Sequence, residues 1–402
     1  MVPLKQNRVI LGFDRLTIKV GSALLVDAKT GELRQEWLDS LAADISRLKK
    51  IGMQILVVSS GAISLGRSIL SMGDKHLSLA QTQACASVGQ IALAQAWRDA
   101  LAAKKITAGQ ILLTPNITEE RRHHINARAT ILTLLELGAI PIVNENDSVA
   151  TSEIRYGDND RLSARVASMI GSDCLVLLSD IDGLYTSIPN QDTNHKRPGK
   201  ENEKAVHLPT VRSVTPEIEA MASGTKNPHA RGGMSTKLDA AKIATRAGTS
   251  MIIANGTKNH PLAALASGAK HTLFPATKSP AAARKSWILG TLDISGSVHV
   301  DEGAAMAISK GKSLLPVGVT KITGKFERGD AVSIISPNNM EIARGLASMN
   351  HEEASKAMGS KSEVIMGMFG HMNRTELVHS DNLVNIARET TSRTQQEQND
   401  DE

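Results

Sequence analysis

Aromatic side chains are scarce in this chain, with four Phe, two Tyr and three Trp among 402 residues. The core therefore rests on Val, Ile, Leu, Ala and Met, and base-stacking platforms for single-stranded nucleic acid are not expected. Cysteine is scarcer still. Cys85 and Cys174 are the only two, too few for a disulfide framework or a cysteine metal cluster. Both read as small buried hydrophobes, and a reducing cytoplasm is the natural compartment. No stretch reaches 18 uninterrupted apolar residues, so no membrane span is expected. The N-terminal MVPLKQNRVILGFDR has no continuous apolar segment of the kind a cleavable leader needs.

Familiar nucleotide signatures are also missing. The Gly-Lys-Ser at 311–313 has Met306 where a P-loop needs its first glycine. No GxGxxG follows a strand, and there is no protein-kinase HRD or DFG set. These gaps argue against a P-loop enzyme, a nicotinamide dehydrogenase and a protein kinase. An excess of one charge is confined to part of the chain. Residues 1–283 hold 33 basic and 25 acidic groups, residues 284–385 hold 11 of each, and residues 386–402 hold 2 and 5. The basic excess favours an anionic substrate or cofactor in the first part. The neutral second part argues against strong electrostatic binding of nucleic acid.

The length suits two or three domains and a large core. Up to about residue 255, apolar runs alternate with helix-period segments. The strand candidates are Leu16–Val20, Gln54–Val58, Gln110–Leu113, Ile140–Val143, Cys174–Leu178 and Ser250–Ala254. Helical periodicity marks 79–103, 126–137, 160–170 and 235–247. Strands apolar on successive residues suit a parallel sheet covered on both faces, so an α/β layered domain is expected. Residues 187–230 are polar and punctuated by Pro and Gly, and read as a long excursion. Residues 268–283 resemble a linker. Beyond Arg284 come short β-like runs (SVHV, GVTKIT, AVSIIS, EIARGLAS), with turns at Asn338-Asn339 and Arg328-Gly329-Asp330. They predict a small, mainly β domain. The tail from 386 is polar and expected to be disordered.

Chemistry-bearing residues gather just after the expected strands. In IKVGSALL, Lys19 precedes Gly21-Ser22, a lysine beside a backbone that can face an anion. In ILVVSSGAISLGR, Ser59, Ser60 and Gly61 open a helix whose N-terminal N–H groups can hold a carboxylate or phosphate; a plain serine cap fits as well. IPIVNENDSVATSEIRYGDNDRLSA carries Glu145, Asp147, Glu153, Asp158 and Asp160 among Asn144, Asn146 and Asn159. It suits a metal site, a paired-acid centre, an amine pocket or a solvated loop. LVLLSDIDGLYT places Ser179, Asp180 and Asp182 after a buried strand. ARGGMSTKLDAAKIATRAG places Gly232-Gly233 before a helix, with Lys237 in its first turns and Ser235 or Thr236 as a cap. A lysine there opposes the helix dipole unless an anion is also present. Adjacent His123 and His124 point about 100° apart on a helix and make a poor metal pair. Two lysines, Gly-rich helix entries and an acid cluster at strand ends together point to phosphoryl transfer.

Those strings, with ASVGQIALAQAW and in this order, closely resemble the bacterial glutamate 5-kinases of the amino-acid-kinase fold, over about residues 14–385. The NEND…GDND pair is the most specific element. The resemblance implies a three-layer αβα sandwich with a mainly parallel central sheet, and a small mainly β PUA-like domain. Expected boundaries are 1–270 for the kinase domain, 271–283 for a linker, 284–385 for the PUA-like domain and 386–402 for the tail. The implied activity is ATP-dependent phosphorylation of the γ-carboxylate of L-glutamate, opening proline biosynthesis, with proline as feedback inhibitor. Lys19 and Lys237 would neutralise the transferring phosphoryl group and Asp160 would orient them. Ser60, Gly61, Asp147 and Asn159 would bind glutamate. Lys19, Ser179, Asp180, Arg231, Gly232, Gly233, Met234, Ser235, Thr236 and Lys237 would line the ATP site. Mg²⁺ would ride on the nucleotide, with no protein metal ligand assigned. A cytoplasmic homo-oligomer, dimer or tetramer, that channels its product to the next enzyme is also implied, with no nucleic acid or membrane partner. The sequence departs from the family's Gly-Thr-Gly-Gly-Met at Ala230-Arg231, which restricts the backbone and adds a charge at the nucleotide.

Overall fold

The structure is a computed structural model that describes residues 9–73, 76–114, 121–149, 158–187, 205–222, 233–290, 294–368 and 375–386. The chain divides into two compact units, residues 1–280 and 281–402.

The first unit begins with β1 (Arg15–Val20), α1 (Ser22–Leu25), α2 (Gln35–Lys50), β2 (Gln54–Ser59), α3 (Ala62–Ile69) and α4 (Leu79–Ala102). Then come β3 (Ala108–Leu113), α5 (Arg121–Glu136), β4 (Ile140–Glu145), α6 (Asp158–Ile170) and β5 (Cys174–Ser179). The unit continues through β6 (Leu184–Tyr185), β7 (His207–Leu208), α7 (Pro216–Ala222), α8 (Met234–Arg246), β8 (Ser250–Asn255), α9 (Pro261–Ala266) and β9 (His271–Phe274). Seven strands form one sheet in the order β3-β4-β2-β1-β5-β8-β9. All pairings are parallel except β8 with β9. The order reverses at β1, which has β2 on one side and β5 on the other. In open α/β sheets such a switch point leaves a crevice beyond the strand C-termini.

Successive strand residues serve opposite layers, as the two-residue repeat of a strand requires. Ile55 and Val57 join the cluster containing Trp37, Leu41 and Ile45 of α2 and Leu93 and Trp97 of α4. Leu56 and Val58 join Ile131 and Leu135 of α5 with Leu162 and Val166 of α6. Farther along that same face, Leu175, Leu177, Met251 and Ile253 pack with Leu238 and Ala241 of α8. Burial on both faces explains why these strands read as unbroken apolar runs.

Several expectations need correction. Strands β2, β5 and β8 each end one residue later than their apolar runs, at Ser59, Ser179 and Asn255, and β4 ends two later, at Glu145. The ladder continues into polar residues because parallel pairing uses backbone groups, whatever the side chain. The stretch expected as a linker holds β9, an edge strand whose Leu273 and Phe274 are buried, and then the start of α10 (Pro280–Gly290). Of the excursion over 187–230, only 187 and 205–222 lie within the described residues, and the tail beyond 386 lies outside them.

In the second unit, β10 (Ile294–Val300), β11 (Val319–Gly324), β12 (Ala331–Ile335), β13 (Glu341–Leu346) and β14 (Leu383–Asn385) form a sheet in the order β11-β10-β12-β13-β14. Both expected turns carry a left-handed residue, Gly329 at φ 96° and Asn339 at φ 56°. Its core joins Val298, Val332, Ile334 and Leu377 to Ile308 of α11 (Glu302–Ser309), Ala354 of α12 (His351–Ala357) and Ile365 of α13 (Ser362–Met368). Among the described residues, no helix is long and apolar enough to cross a membrane.

Candidate active site

The β1/β2/β5 ends and the first turns of α6 and α8 place the polar groups. Lys19 is the penultimate residue of β1 and 8 % exposed, Lys237 stands in the first turn of α8 and is also 8 % exposed, and Asp160 is 1 % exposed in the first turn of α6. The two lysines grip opposite oxygens of that carboxylate. Lys19 Nζ lies 2.5 Å from Asp160 Oδ1, and Lys237 Nζ lies 3.2 Å from Oδ2. Thr236 Oγ1 donates to the same Oδ2 at 2.9 Å. Burial pushes the Asp160 carboxyl up, yet Lys19 and then Lys237, with the hydrogen bonds, hold it below the usual carboxylate range. Two cations therefore stand at one point with a single anion between them, leaving one positive charge for an anionic ligand.

Packing of α6 on α8 sets this spacing. Ala164 and Ala167 of α6 meet Ala240, Ala241 and Ala244 of α8 in one cluster, and small residues let helix axes approach closely. Beyond the cluster Arg161 Nη2 donates to Asp239 Oδ2 at 2.6 Å, a second link between the helices. The expected cap by Ser235 or Thr236 is not formed. Gly233 is the N-cap of α8 with no side-chain cap bond, and the one hydroxyl proton of Thr236 is shared between Gly233 O, at 2.8 Å, and Asp160. Gly233 thus offers no side-chain oxygen to the first-turn N–H groups of α8, as suits an anion there. Met234 packs against the apolar cluster below. Arg231 and Gly232 lie outside the described residues, as do Glu153 and Arg155.

A second set of groups surrounds the end of β2. Ser60 N donates to Val20 O at 3.0 Å, tying the ends of β2 and β1 together. Gly61 has φ 119°, a region that a side chain makes costly. That conformation turns the chain directly into α3. Asn159 Nδ2 donates to Ser60 Oγ at 2.5 Å and to Asn144 Oδ1 at 3.2 Å. Asn144 Nδ2 in turn donates to Gln90 Oε1 of α4 at 2.8 Å. Asp147 opens the 3₁₀ turn Asp147–Val149 that follows β4 and packs on α4. Its half-buried carboxyl is raised from 3.8 to about 6 by burial.

Ser179 and Asp180 stand at the end of β5, with Ser179 Oγ donating to Asp180 Oδ1 at 2.9 Å. The structure thus joins Lys19, Asp160, Thr236 and Lys237 in one contact network and Ser60 with Asn159 in another, and adjacent positions in α6 carry Asn159 and Asp160. Reading the sequence left three contributors without a role. Asn144 lay in the acid–amide cluster but is a buried relay, 3 % exposed. Gln90 was visible only as one letter of ASVGQIALAQAW, because a polar residue on a helix ordinarily faces water. The Arg161–Asp239 pair gave no signal at all, because its members are 78 residues apart.

Comparison with known proteins places the chain in a family. The pattern of the amino acid kinase family matches residues 14–255, more than half of the chain. The chain belongs to the amino acid kinase family. The PUA domain pattern matches residues 296–367 of the second unit. Glutamate 5-kinase 1 of Rhizobium meliloti is 54 % identical over 383 residues, covering 95 % of each chain. Glutamate 5-kinase of Rhizobium rhizogenes is 55 % identical over 375 residues, with 93 % of this chain and 94 % of that one aligned. A third relative, glutamate 5-kinase of Agrobacterium fabrum, is 54 % identical over 370 residues and 92 % of each chain. In this amino acid kinase the relatives extend across both units, so the likeness is not confined to the site.

Proposed function

We propose that this chain transfers the γ-phosphoryl group of ATP to the γ-carboxylate of L-glutamate, forming L-glutamyl 5-phosphate and ADP in the first step of proline biosynthesis. The relatives' shared name supports the reaction, and the observation that carries the reading is the Lys19–Asp160–Lys237 triad at the switch point of the sheet.

A carboxylate is already a nucleophile, so no general base is needed and positioning with charge neutralisation suffices. Lys19 and Lys237 face the transferring phosphoryl group, whose equatorial oxygens gain from cations held in place before the reaction. Asp160 keeps the two ammonium groups together against their repulsion. Ser60, Gly61, Asp147 and Asn159 hold glutamate. The Ser60 hydroxyl accepts from Asn159, which leaves its own proton for a substrate carboxylate, and Asp147 supplies the anion for the α-ammonium. Ser179, Asp180 and Gly233 to Lys237 line the nucleotide site, with the start of α8 aimed at phosphate, and Arg231 and Gly232 are assigned to the nucleotide by the resemblance alone.

Magnesium enters as part of the nucleotide substrate. Among the described residues no group of three or more His, Cys, Asp or Glu is placed to hold a metal ion, and both oxygens of Asp160 are engaged by lysine. The phosphate oxygens themselves would hold the ion, which would offset their charge. The reading extends to a cytoplasmic homo-oligomer, inhibited by proline as end product and passing its labile acyl phosphate to the next enzyme.

A coupled ADP-release assay with glutamate, aspartate and N-acetylglutamate, with and without proline, tests the proposal. Glutamate alone should support turnover and proline should suppress it. Turnover with aspartate or N-acetylglutamate but not glutamate would overturn the substrate assignment.

A further inference from the structure

The two side-chain amides behind Asn159 have a direction. Its Nδ2 carries two hydrogens, one donated to Ser60 Oγ and one to Asn144 Oδ1. Asn144 then donates from Nδ2 to Gln90 Oε1. With both hydrogens committed, Asn159 Oδ1 is left buried and, among the described residues, without a hydrogen-bond partner. A buried acceptor is costly to leave unmet, so this atom is set for a donor that none of the described residues supplies.

An amide cannot be reversed alone in such a chain. Turning Asn159 would set its oxygen against Asn144 Oδ1. Turning Asn144 as well would set oxygen against Gln90 Oε1. All three amides must reverse together or none can. The orientation at the substrate end is therefore coupled to the far end, on α4, to a residue that acts only through others.

We propose that Gln90 is a positioning residue: acting through Asn144, it fixes the polarity of Asn159 so that Oδ1 accepts a hydrogen bond from the α-ammonium of the amino-acid substrate. The inference rests on the reading that Ser60, Asp147 and Asn159 hold glutamate. An inward-facing Nδ2 would oppose its hydrogens to the ammonium. The relay thus gives α4 a part in distinguishing an amino acid from the same dicarboxylate without its amine.

The test compares Gln90→Met with Gln90→Glu, using steady-state kinetics and the inhibition constant of glutarate, which is glutamate lacking the amine. Methionine removes the acceptor and frees the polarity, so the glutamate KM should rise about tenfold. The kcat and the KM for ATP should stay within about twofold, as for loss of binding shared by ground and transition states. Glutarate inhibition should be unchanged, because it has no ammonium to be misread. Glutamate at position 90 can only accept, preserves the polarity, and should restore a near-wild-type KM. If Gln90→Met fails to fold, Gln90→Lys replaces it as the donor-only partner of Gln90→Glu, and its glutamate KM should rise about tenfold or more. Equal weakening of glutamate and glutarate, or wild-type kinetics in both Met and Lys variants, would overturn the relay. Absence of glutamate-dependent ADP release in the wild-type protein would instead overturn the substrate assignment on which the relay rests.

Discussion

At the scale of single residues, four buried or half-buried charges carry the proposed chemistry with different tasks. Replacing Lys237 or Lys19 with Met removes a cation from the position assigned to the phosphoryl group in the proposed reaction. Each variant should lose at least about 10²-fold in kcat, the order found for removing one transition-state donor, while its circular dichroism stays native. A folded Lys237→Met protein with near-normal kcat would refute its role. Asp160→Asn leaves two lysines buried without their anion, and such a break costs about 3–5 kcal/mol. Urea unfolding should show that loss alongside lost turnover. Asp147 makes a pH-dependent prediction. Its carboxyl sits near 6, so it is neutral below that pH and must shed a proton to meet an ammonium. The glutamate KM should rise by up to about tenfold per pH unit below 6 and level off above it, the slope for one proton, while the ATP KM does not follow. Folding gives the opposite sign. A carboxyl raised in the fold contributes stability that is full below 3.8 and lost as pH rises through 6. Asp147→Asn should therefore raise the thermal midpoint of the free protein at pH 7.5 and not at pH 4. Equal midpoints at both pH values would contradict the burial.

At the scale of elements, glycine and alanine decide how near the helices come. A Cβ on Gly89 of α4 would lie 1.8 Å from Ala62 O, and one on Gly66 of α3 would lie 1.8 Å from Cys85 O. Both obstacles are backbone, so the helices would have to separate. Gly89→Ala should cost about 1–3 kcal/mol or more in denaturant unfolding, as overpacking does. Because α3 follows Gly61 directly, the same change should raise the glutamate KM. Unchanged stability would show that the contact is looser than the backbone distance implies. Strand positions were legible because apolar runs in doubly covered strands are dense, and the helix over 79–103 because it is long. The strand ends were less so. Ser59, Glu145, Ser179 and Asn255 are polar, and an apolar run stops before them although the ladder does not. Likewise the run HTLF, flanked by Gly, Pro and Ser, looked like linker until pairing with β8 made it an edge strand.

At the scale of the whole molecule, the two units close separate cores, one on each side of residue 280. Ile334→Ala in the second core should cost about 2–5 kcal/mol, the usual loss for a buried Ile truncated to Ala, seen as a lowered unfolding transition. The KM values for glutamate and ATP at 25 °C should not change, since no residue assigned to the site lies beyond Lys237. A raised KM in that variant would mean that the units communicate. The layered fold class, the neutral and mainly β second part, and the candidate lysines, acids and amides were all determined by the sequence, because periodicity and residue type are local properties. Tertiary structure decided which of them meet. Lys19, Asp160 and Lys237 are 141 and 77 positions apart, and only the strand order around β1 and the alanine contact of α6 with α8 bring them to one carboxylate. It also decided the direction of the amide relay from Gln90 to Asn159, because hydrogen-bond polarity belongs to a connected set of partners and to no residue alone.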